Sequence, residues 1–258
     1  MTYQFLQLEK HHAVGILRFN RPERLNAFEG VMVQEVPVAL RELLEDEGVR
    51  VVIVTGNGKG FCAGADVNFL MELAAAKDIA RGKVLVSTGS EIVEMIHAAE
   101  KPVIAAINGP TAGGGAGIAL ACDIRIMAQS ASIGFTFSRI GLHPDLGCTY
   151  FLPRLVGPAK AAELFMTGEM IPAGEALRLG MVNHIVPDEE LMPAALKLAA
   201  AIAEKSLLAL RLMKKGLHQT FEQPLEAMLK YEIYAQSLCF ESKEAAAALK
   251  NFLAARKK

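Results

Sequence analysis

The chain has 258 residues, of which 52% are hydrophobic and 21% charged, and its 27 Lys and Arg against 28 Asp and Glu give a formal net charge of −1. This is the composition of a globular protein, and the absence of excess basic charge argues against a protein that binds nucleic acid. No stretch is long and apolar enough to span a bilayer, which argues against a membrane protein. The N-terminal segment lacks the basic start and apolar run of a signal peptide, which predicts a cytoplasmic location.

Strands and helices are predicted to alternate up to about residue 186. Apolar and β-branched runs predict five strands, at about 3–9, 13–19, 51–55, 103–107 and 123–128, with helical periodicity between them. This order is typical of an α/β fold with parallel strand pairing. Pro37 falls within the predicted helix 29–46 and is expected to kink or restart it.

The remainder of the chain is predicted to be all helical, at 188–204, 206–219, 223–238 and 241–254. The apolar stripes of these helices are wider than a small helical region can bury within itself, which indicates packing between subunits. Packing of the same stripes on the chain's own core explains the periodicity equally well. We predict a core at 1–197 and a helical oligomerisation region at 198–258.

Two glycine-rich loops each follow an apolar strand: TGNGKGFCAGAD at 55–66 and INGPTAGGGAGIALACD at 107–123. The composition of residues 116–121 suits a tightly packed buried helix, so Gly113 to Gly115 are predicted to lie at a helix N-terminus. Free backbone N–H groups and the helix dipole favour negative charge there.

Four interpretations compete for these loops. A dinucleotide-binding fingerprint matches the glycine spacing poorly, and neither loop ends in the Gly-Lys-Ser/Thr of a phosphate-binding loop. An oxyanion hole would take one N–H group from each loop. The glycines can also serve only tight turns and close helix packing. The order and separation of the two loops favour the oxyanion hole.

Four longer segments carry a resemblance to a known family: FNRPERLNAF at 19–28, GFCAGADV at 60–67, KPVIAAINGPTAGGGAGIALACDIRI at 101–126 and GLHPDLGCTYFLPRLVGPAKAAEL at 141–164. On these motifs the chain resembles the crotonase superfamily, or enoyl-CoA hydratase/isomerase family, over essentially its whole length. The resemblance implies an α/β crotonase-like spiral of ββα turns and a C-terminal helical trimerisation region, hence a homotrimer or a dimer of trimers. It also implies an acyl-CoA thioester substrate.

The family's site residues carry over by position. The resemblance assigns the oxyanion-hole N–H groups to Ala65 and Gly114. It places the coenzyme A moiety and the acyl chain along residues of both loops and of the preceding turn: Arg24, Leu25, Ala63, Ala65, Asp66, Val67, Gly113, Gly114 and Phe137. For the Asp66 side chain, capping of the following helix is the preferred role.

The catalytic carboxylates depart from the hydratase pattern. Family hydratases hold a water molecule between two glutamates, but the corresponding positions are Gly117 and Phe137 in this chain. The remaining carboxylate is Asp145, in a segment that looks closest to the epoxyphenylacetyl-CoA isomerase branch of phenylacetate breakdown and to related enoyl-CoA isomerases. One base can shuttle a proton from Cα to Cγ of a dienolate, so we predict an enoyl-CoA isomerase with Asp145 as its base. The sequence leaves double-bond migration and epoxide-type isomerisation both open. His143 is a weaker candidate that could tune or replace that base.

Two alternatives remain open. The chain can be a hydratase that uses Asp145 with another group, or a catalytically weak paralogue that binds acyl-CoA or partner proteins through its helical region. Dehalogenation is disfavoured, because the position of the dehalogenases' upstream histidine is Ser90. No cofactor or metal is expected, since proton transfer on a thioester needs neither and no residue cluster has ligand spacing. The scattered cysteines, Cys62, Cys122, Cys148 and Cys239, are predicted to be reduced buried thiols.

Overall fold

The computed structural model describes residues 2–255 and contains a six-stranded sheet. The strands stand in the order β1-β2-β3-β4-β6-β9, with β1 antiparallel to β2 and every other pair parallel. Their bounds are Leu6–His11 (β1), Val14–Phe19 (β2), Val51–Gly56 (β3), Val103–Ile107 (β4), Ile124–Ala128 (β6) and His184–Val186 (β9). The first five correspond to the predicted strands. All residues of β3 and β4 are buried, as expected for central parallel strands covered on both faces.

A second, three-stranded sheet was not predicted from the sequence. Its strands are β5 (Thr111–Ala112), β7 (Ser132–Gly134) and β8 (Met170–Pro172), in the order β5-β7-β8. Strands of two or three residues are too short to show alternation of apolar and polar residues. Its strand β5 directly precedes α4 (Gly114–Ala121), and the Gly113 N–H between them donates to the Gly134 carbonyl of β7.

Seven helices lie in the alternating part of the described chain: α1 (Gly30–Glu45), α2 (Val67–Ala76), α3 (Ile79–Ala98), α4 (Gly114–Ala121), α5 (Cys148–Val156), α6 (Pro158–Thr167) and α7 (Ala173–Arg178). The helix predicted after the glycine triplet is confirmed, and all eight residues of α4 are buried. The predicted restart at Pro37 is wrong, because α1 is one helix across it. Its buried apolar face packs against β1, β2 and α3, and this packing outweighs the loss of one backbone hydrogen bond.

Four helices complete the described chain: α8 (Leu191–Ala203), α9 (Leu207–Gln219), α10 (Leu225–Glu241) and α11 (Lys243–Ala255). The predicted boundary between 197 and 198 falls inside α8, which packs along β2, β3, β4 and β6. Because α8 is part of the core along its length, that boundary is wrong. A helical region separate from the sheet begins only after it.

A buried lysine fastens α9 to the core. Lys214 donates through Nζ to the carbonyl oxygens of Ile96 and Lys101 and to Oδ2 of Asp123, at 2.9, 3.4 and 2.9 Å. Beside it the rings of His97 and His218 stack with centroids 3.7 Å apart. Burial lowers the pKa of His218 to about 4 and also lowers that of His97, so both rings are neutral at pH 7. The stacked rings pack α9 against α3.

Within the described residues no helix has the length and apolar character needed to cross a membrane.

Candidate active site

The two glycine loops lie side by side. Cys62 pairs with Thr111 in a parallel bridge, and the Ala112 N–H donates to the Cys62 carbonyl at 2.9 Å. One step earlier the Phe61 N–H donates to the Pro110 carbonyl at 3.2 Å. The two loops therefore remain side by side beyond the C-terminal ends of the paired strands β3 and β4.

Glycine is required where the loops cross. Gly64 has φ +84°, and a Cβ at this position would lie 2.8 Å from the Ala112 carbonyl oxygen and 3.3 Å from the Gly114 nitrogen. Gly113 has φ 54° and ψ −124° and stands immediately before α4. Residues with a Cβ rarely adopt such conformations, so the glycines allow the backbones to approach each other.

Two backbone N–H groups at this crossing lack an acceptor among the described residues: those of Ala65 and Gly114. Their neighbours are paired, since Asp66 N–H donates to the Phe28 carbonyl at 2.8 Å and Gly113 N–H to the Gly134 carbonyl at 3.0 Å. Gly114 is the first residue of α4, where N–H groups have no partner within the helix. The structure thus brings the two predicted donors to adjacent loops and leaves both available.

The Asp145 carboxylate lies next to one of these donors. A Cβ built on Gly114 would be 3.9 Å from Asp145 Oδ1. Oδ1 is buried without a hydrogen-bond partner among the described residues, and burial raises the pKa of Asp145 to about 6, partly offset by a backbone hydrogen bond and by His143. His143 itself is exposed. A desolvated carboxylate with a free oxygen is well suited to accept a proton.

No carboxylate stands at the two positions where family hydratases carry glutamate. A Cβ at Gly117 would lie 2.4 Å from the Leu146 carbonyl oxygen, so the backbone occupies the space that a side chain would need. Phe137 is buried at the second position, and its ring lies 3.8 Å from a Cβ built on Gly113. Apolar surface therefore replaces the second carboxylate.

The residues predicted to bind coenzyme A are brought together by backbone pairing. The Ala63 N–H donates to the Leu25 carbonyl at 3.0 Å, and the Phe28 N–H to the Gly64 carbonyl at 2.7 Å. Arg24 and Val67 lie at the two exposed ends of this pairing, and no ion pair involves the Arg24 guanidinium in the part of the chain that the structure describes. A free cation at the rim is available to a phosphate.

Asp66 is the helix cap that the sequence predicted. It accepts a hydrogen bond from the Asn68 N–H at 2.9 Å and one from Arg21 Nη1 at 2.7 Å. Burial acts to raise its pKa, but the bonds from Arg21 and Asn68 outweigh it and hold the pKa below its ordinary value. Sequence reasoning missed Arg21, although it lies inside the quoted segment 19–28. Its partner is 45 residues away, and only the fold reveals the pair.

Three of the four cysteines are buried. Cys62, Cys122 and Cys148 are buried free thiols, whereas Cys239 is half-buried, and burial raises the pKa of all three buried thiols. Across residues 2–255 no group of three or more His, Cys, Asp and Glu side chains is arranged to hold a metal ion.

Comparison with known proteins adds independent findings. A family model described as enoyl-CoA hydratase/isomerase matches residues 9–258. A crotonyl-CoA hydratase of Syntrophomonas wolfei is 38% identical over all of this chain and 98% of its own. A 1,2-epoxyphenylacetyl-CoA isomerase of Escherichia coli is 35% identical over 98% of this chain and 97% of its own.

A solved structure confirms the fold class. The crystal structure of an enoyl-CoA hydratase from Bacillus anthracis superposes with a TM-score of 0.91 at 35% identity, covering 96% of each chain. The predicted mixed α/β architecture with a parallel sheet and a C-terminal helical region is thereby confirmed.

Proposed function

Because this chain belongs to the enoyl-CoA hydratase/isomerase family, we propose that it is an isomerase that moves the double bond of an enoyl-CoA thioester. The observation that carries the proposal is the single carboxylate of Asp145 beside free backbone donors, with Gly117 and Phe137 at the glutamate positions of family hydratases. The relative from Escherichia coli, which is named as an isomerase of an acyl-CoA, lends support.

The Ala65 and Gly114 N–H groups act on the thioester oxygen. When a base removes the Cα proton, negative charge develops on this oxygen, and two preorganised donors stabilise it. Loss of one such donor typically reduces the rate by about 10²–10³. Since both donors are backbone groups, their placement depends on the glycine loops rather than on particular side chains.

Asp145 carries the proton. Its carboxylate takes the Cα proton of a 3-enoyl thioester and returns a proton to Cγ, which leaves the double bond in conjugation with the carbonyl. A pKa of about 6 suits this role, because the group is mostly ionised at pH 7 and its conjugate acid still releases a proton readily. The apolar Phe137 ring excludes a second, water-activating carboxylate from the site.

Coenzyme A lies along the paired segments around Leu25 and Ala63. Arg24 contacts a phosphate at the exposed rim, and the backbone of Ala63, Asp66 and Val67 lines the adenine. Gly113 and Phe137 border the acyl group next to the donors. In this arrangement the Asp66 side chain supports the loop through its helix cap and its ion pair with Arg21.

Hydration is the second candidate function, favoured by the name of the relative from Syntrophomonas wolfei, a crotonyl-CoA hydratase. It would require Asp145 to act with another acid or base. His143, two residues away, is the nearest group along the chain. Isomerisation needs no such partner, and we therefore prefer it.

The C-terminal helices assemble the oligomer. Large apolar side chains are exposed along α10 and α11: Leu225, Leu229, Ile233, Tyr234, Phe240, Leu249, Phe252 and Leu253. Exposed apolar surface of this extent is typical of a protein interface, and we propose a homotrimer or a dimer of trimers. Ile233→Lys is expected to shift the protein toward monomer in sedimentation analysis. Lys230→Glu, which changes an exposed charged residue of the same helix, is the control. An unchanged distribution would exclude α10 from the interface.

The activity is tested with a 3-enoyl-CoA. Wild-type protein is expected to generate the absorbance of a conjugated thioester without a change in product mass. Asp145→Asn is expected to reduce kcat by about 10²–10⁴ while still binding butyryl-CoA, a saturated thioester, as measured by calorimetry. Full activity of Asp145→Asn would refute the proposed base.

A further inference from the structure

The residue after the proposed base has an unusual backbone conformation. Leu146 is 7% exposed and has φ 47°, and Gly147 follows with φ 75°. A left-handed conformation is disfavoured for a residue with a Cβ and persists only where the surroundings impose it. The residues packed around Leu146 therefore account for this conformation.

Three glycines from two helices form a slot around Leu146. A Cβ on Gly89 of α3 would lie 2.8 Å from Leu146 Cδ1, and one on Gly114 of α4 would lie 3.0 Å from Cδ2. At Gly117, one turn further along α4, a Cβ would lie 2.4 Å from the Leu146 carbonyl oxygen and 3.0 Å from its Cβ. Leu146 thus occupies the volume that three side chains would otherwise fill.

The same turn is attached to the glycine loop at its other end. The Cys148 N–H donates to the Asp145 carbonyl at 3.0 Å, and Cys148 Sγ lies 3.8 Å from the Gly113 carbonyl oxygen. Leu146 and Cys148, which both follow Asp145, therefore pack against the segment that carries the Gly114 donor.

Asp145 has little else to fix its position. Its buried Oδ1 has no hydrogen-bond partner in the described part of the chain, and the backbone hydrogen bond to the carboxyl comes from Asp145 itself. The packing of its neighbours therefore places the carboxylate. A Cβ built on Gly114 would lie 3.0 Å from Leu146 Cδ2 and 3.9 Å from Asp145 Oδ1. The Leu146 side chain therefore packs beside both the proposed base and the Gly114 donor.

We propose that Leu146 is a positioning residue whose side chain, seated in the slot of Gly89, Gly114 and Gly117, sets the distance between the Asp145 carboxylate and the Gly114 N–H. This inference rests on the proposed function and deepens it. Misplacement of a catalytic group by about 1 Å can reduce a rate by about 10². A change in the slot should therefore alter kcat without a direct contact to substrate.

Gly89→Ala tests the slot, and Gly82→Ala is its matched control. Both change glycine to alanine within α3, but a Cβ at Gly82 meets no atom within 4 Å. Gly89→Ala is expected to lower kcat for the 3-enoyl-CoA by about 10- to 100-fold, with KM changed less than threefold, because the coenzyme A segments lie elsewhere. Gly82→Ala is expected to retain wild-type kcat.

Leu146→Ala tests the same idea without added volume. It is expected to lower kcat, and its effect should be smaller in the Gly89→Ala background than in the wild type, because the added methyl group fills part of the vacated slot. Such non-additivity indicates direct coupling of the two positions. If Leu146→Ala retains the wild-type kcat and pH profile, the proposal is overturned, whether or not Gly89→Ala folds.

Titration of the Asp145 carboxyl, followed by carbon NMR with Asp145→Asn for assignment, separates this inference from the proposed function. Displacement of Leu146 admits water, so Gly89→Ala and Leu146→Ala should lower the Asp145 pKa, whereas Gly82→Ala should not. This readout needs no substrate and applies even if wild-type protein proves inactive on 3-enoyl-CoA. An Asp145 titration identical in all the variants would refute the positioning role.

Discussion

Replacement of Asp145 by asparagine is expected to stabilise the fold at neutral pH while it removes the base. Burial raises the pKa of this carboxyl from 3.8 to about 6. A carboxyl that binds its proton more tightly in the folded than in the unfolded chain reduces stability once it is ionised. At about 1.4 kcal/mol for each pKa unit, the reduction is about 3 kcal/mol.

The pH dependence follows from the sign of this shift. Well below pH 3.8 the group is protonated in both states, and its ionisation has no effect on stability. Between 3.8 and about 6 the folded chain keeps the proton that the unfolded chain loses, so stability falls as pH rises. Above about 6 the group is ionised in both states and the reduction is constant. Because asparagine does not titrate, the Asp145→Asn variant does not lose stability as the pH rises through this range.

The assay is urea unfolding of wild type and Asp145→Asn at equal protomer concentration from pH 4 to pH 8. The variant's advantage in free energy of unfolding should grow from about 0.5 kcal/mol at pH 4 to about 3 kcal/mol at pH 7. Glu47→Gln, at an exposed carboxyl, controls for the loss of one negative charge. A stability difference between Asp145→Asn and wild type that does not vary with pH would refute the claim that Asp145 is held desolvated.

Three further predictions address the base, the glycine contact and the docking of α9. The kcat/KM for isomerisation should rise with a midpoint near pH 6 and stay level above it, because Asp145 must be ionised; a flat profile from pH 5 to pH 8 would contradict this. Gly117→Ala should lower stability to urea by about 1–3 kcal/mol through its clash with Leu146, whereas Gly174→Ala, in open space, should not. Lys214→Met should lower the free energy of unfolding by about 3–5 kcal/mol in the same assay, because it leaves Asp123 without its cation. Lys215→Met, at an exposed neighbouring position, is the control. Equal stability of the two variants would show that the Lys214 contact is dispensable.

The sequence was most informative where a local pattern determines local structure. The runs at 51–55 and 103–107 are strands because continuous β-branched and apolar residues suit buried parallel pairing. The glycine triplet begins α4 as expected. The site donors, Ala65 and Gly114, followed from family motifs, and their lack of acceptors became visible only in the fold.

Features that depend on distant residues could not be predicted. The salt bridge between Arg21 and Asp66 and the buried contacts of Lys214 join residues 45 to 118 positions apart. The left-handed Leu146 is explained by Gly89, Gly114 and Gly117, and no local pattern connects them. The end of the core was placed too early because α8 has the Ala- and Leu-rich composition of the later helices, although it packs on the sheet.

The central claim is that one carboxylate moves a proton and that no second carboxylate activates water. The most direct test measures kcat/KM side by side for conjugation of a 3-enoyl-CoA and for addition of water to a 2-enoyl-CoA, by thioester absorbance and product mass. We predict rapid conjugation without a change in mass, lost in Asp145→Asn, and little or no hydration. Addition of water to the 2-enoyl-CoA at a comparable or higher rate would contradict the account and identify the protein as a hydratase with a second catalytic group.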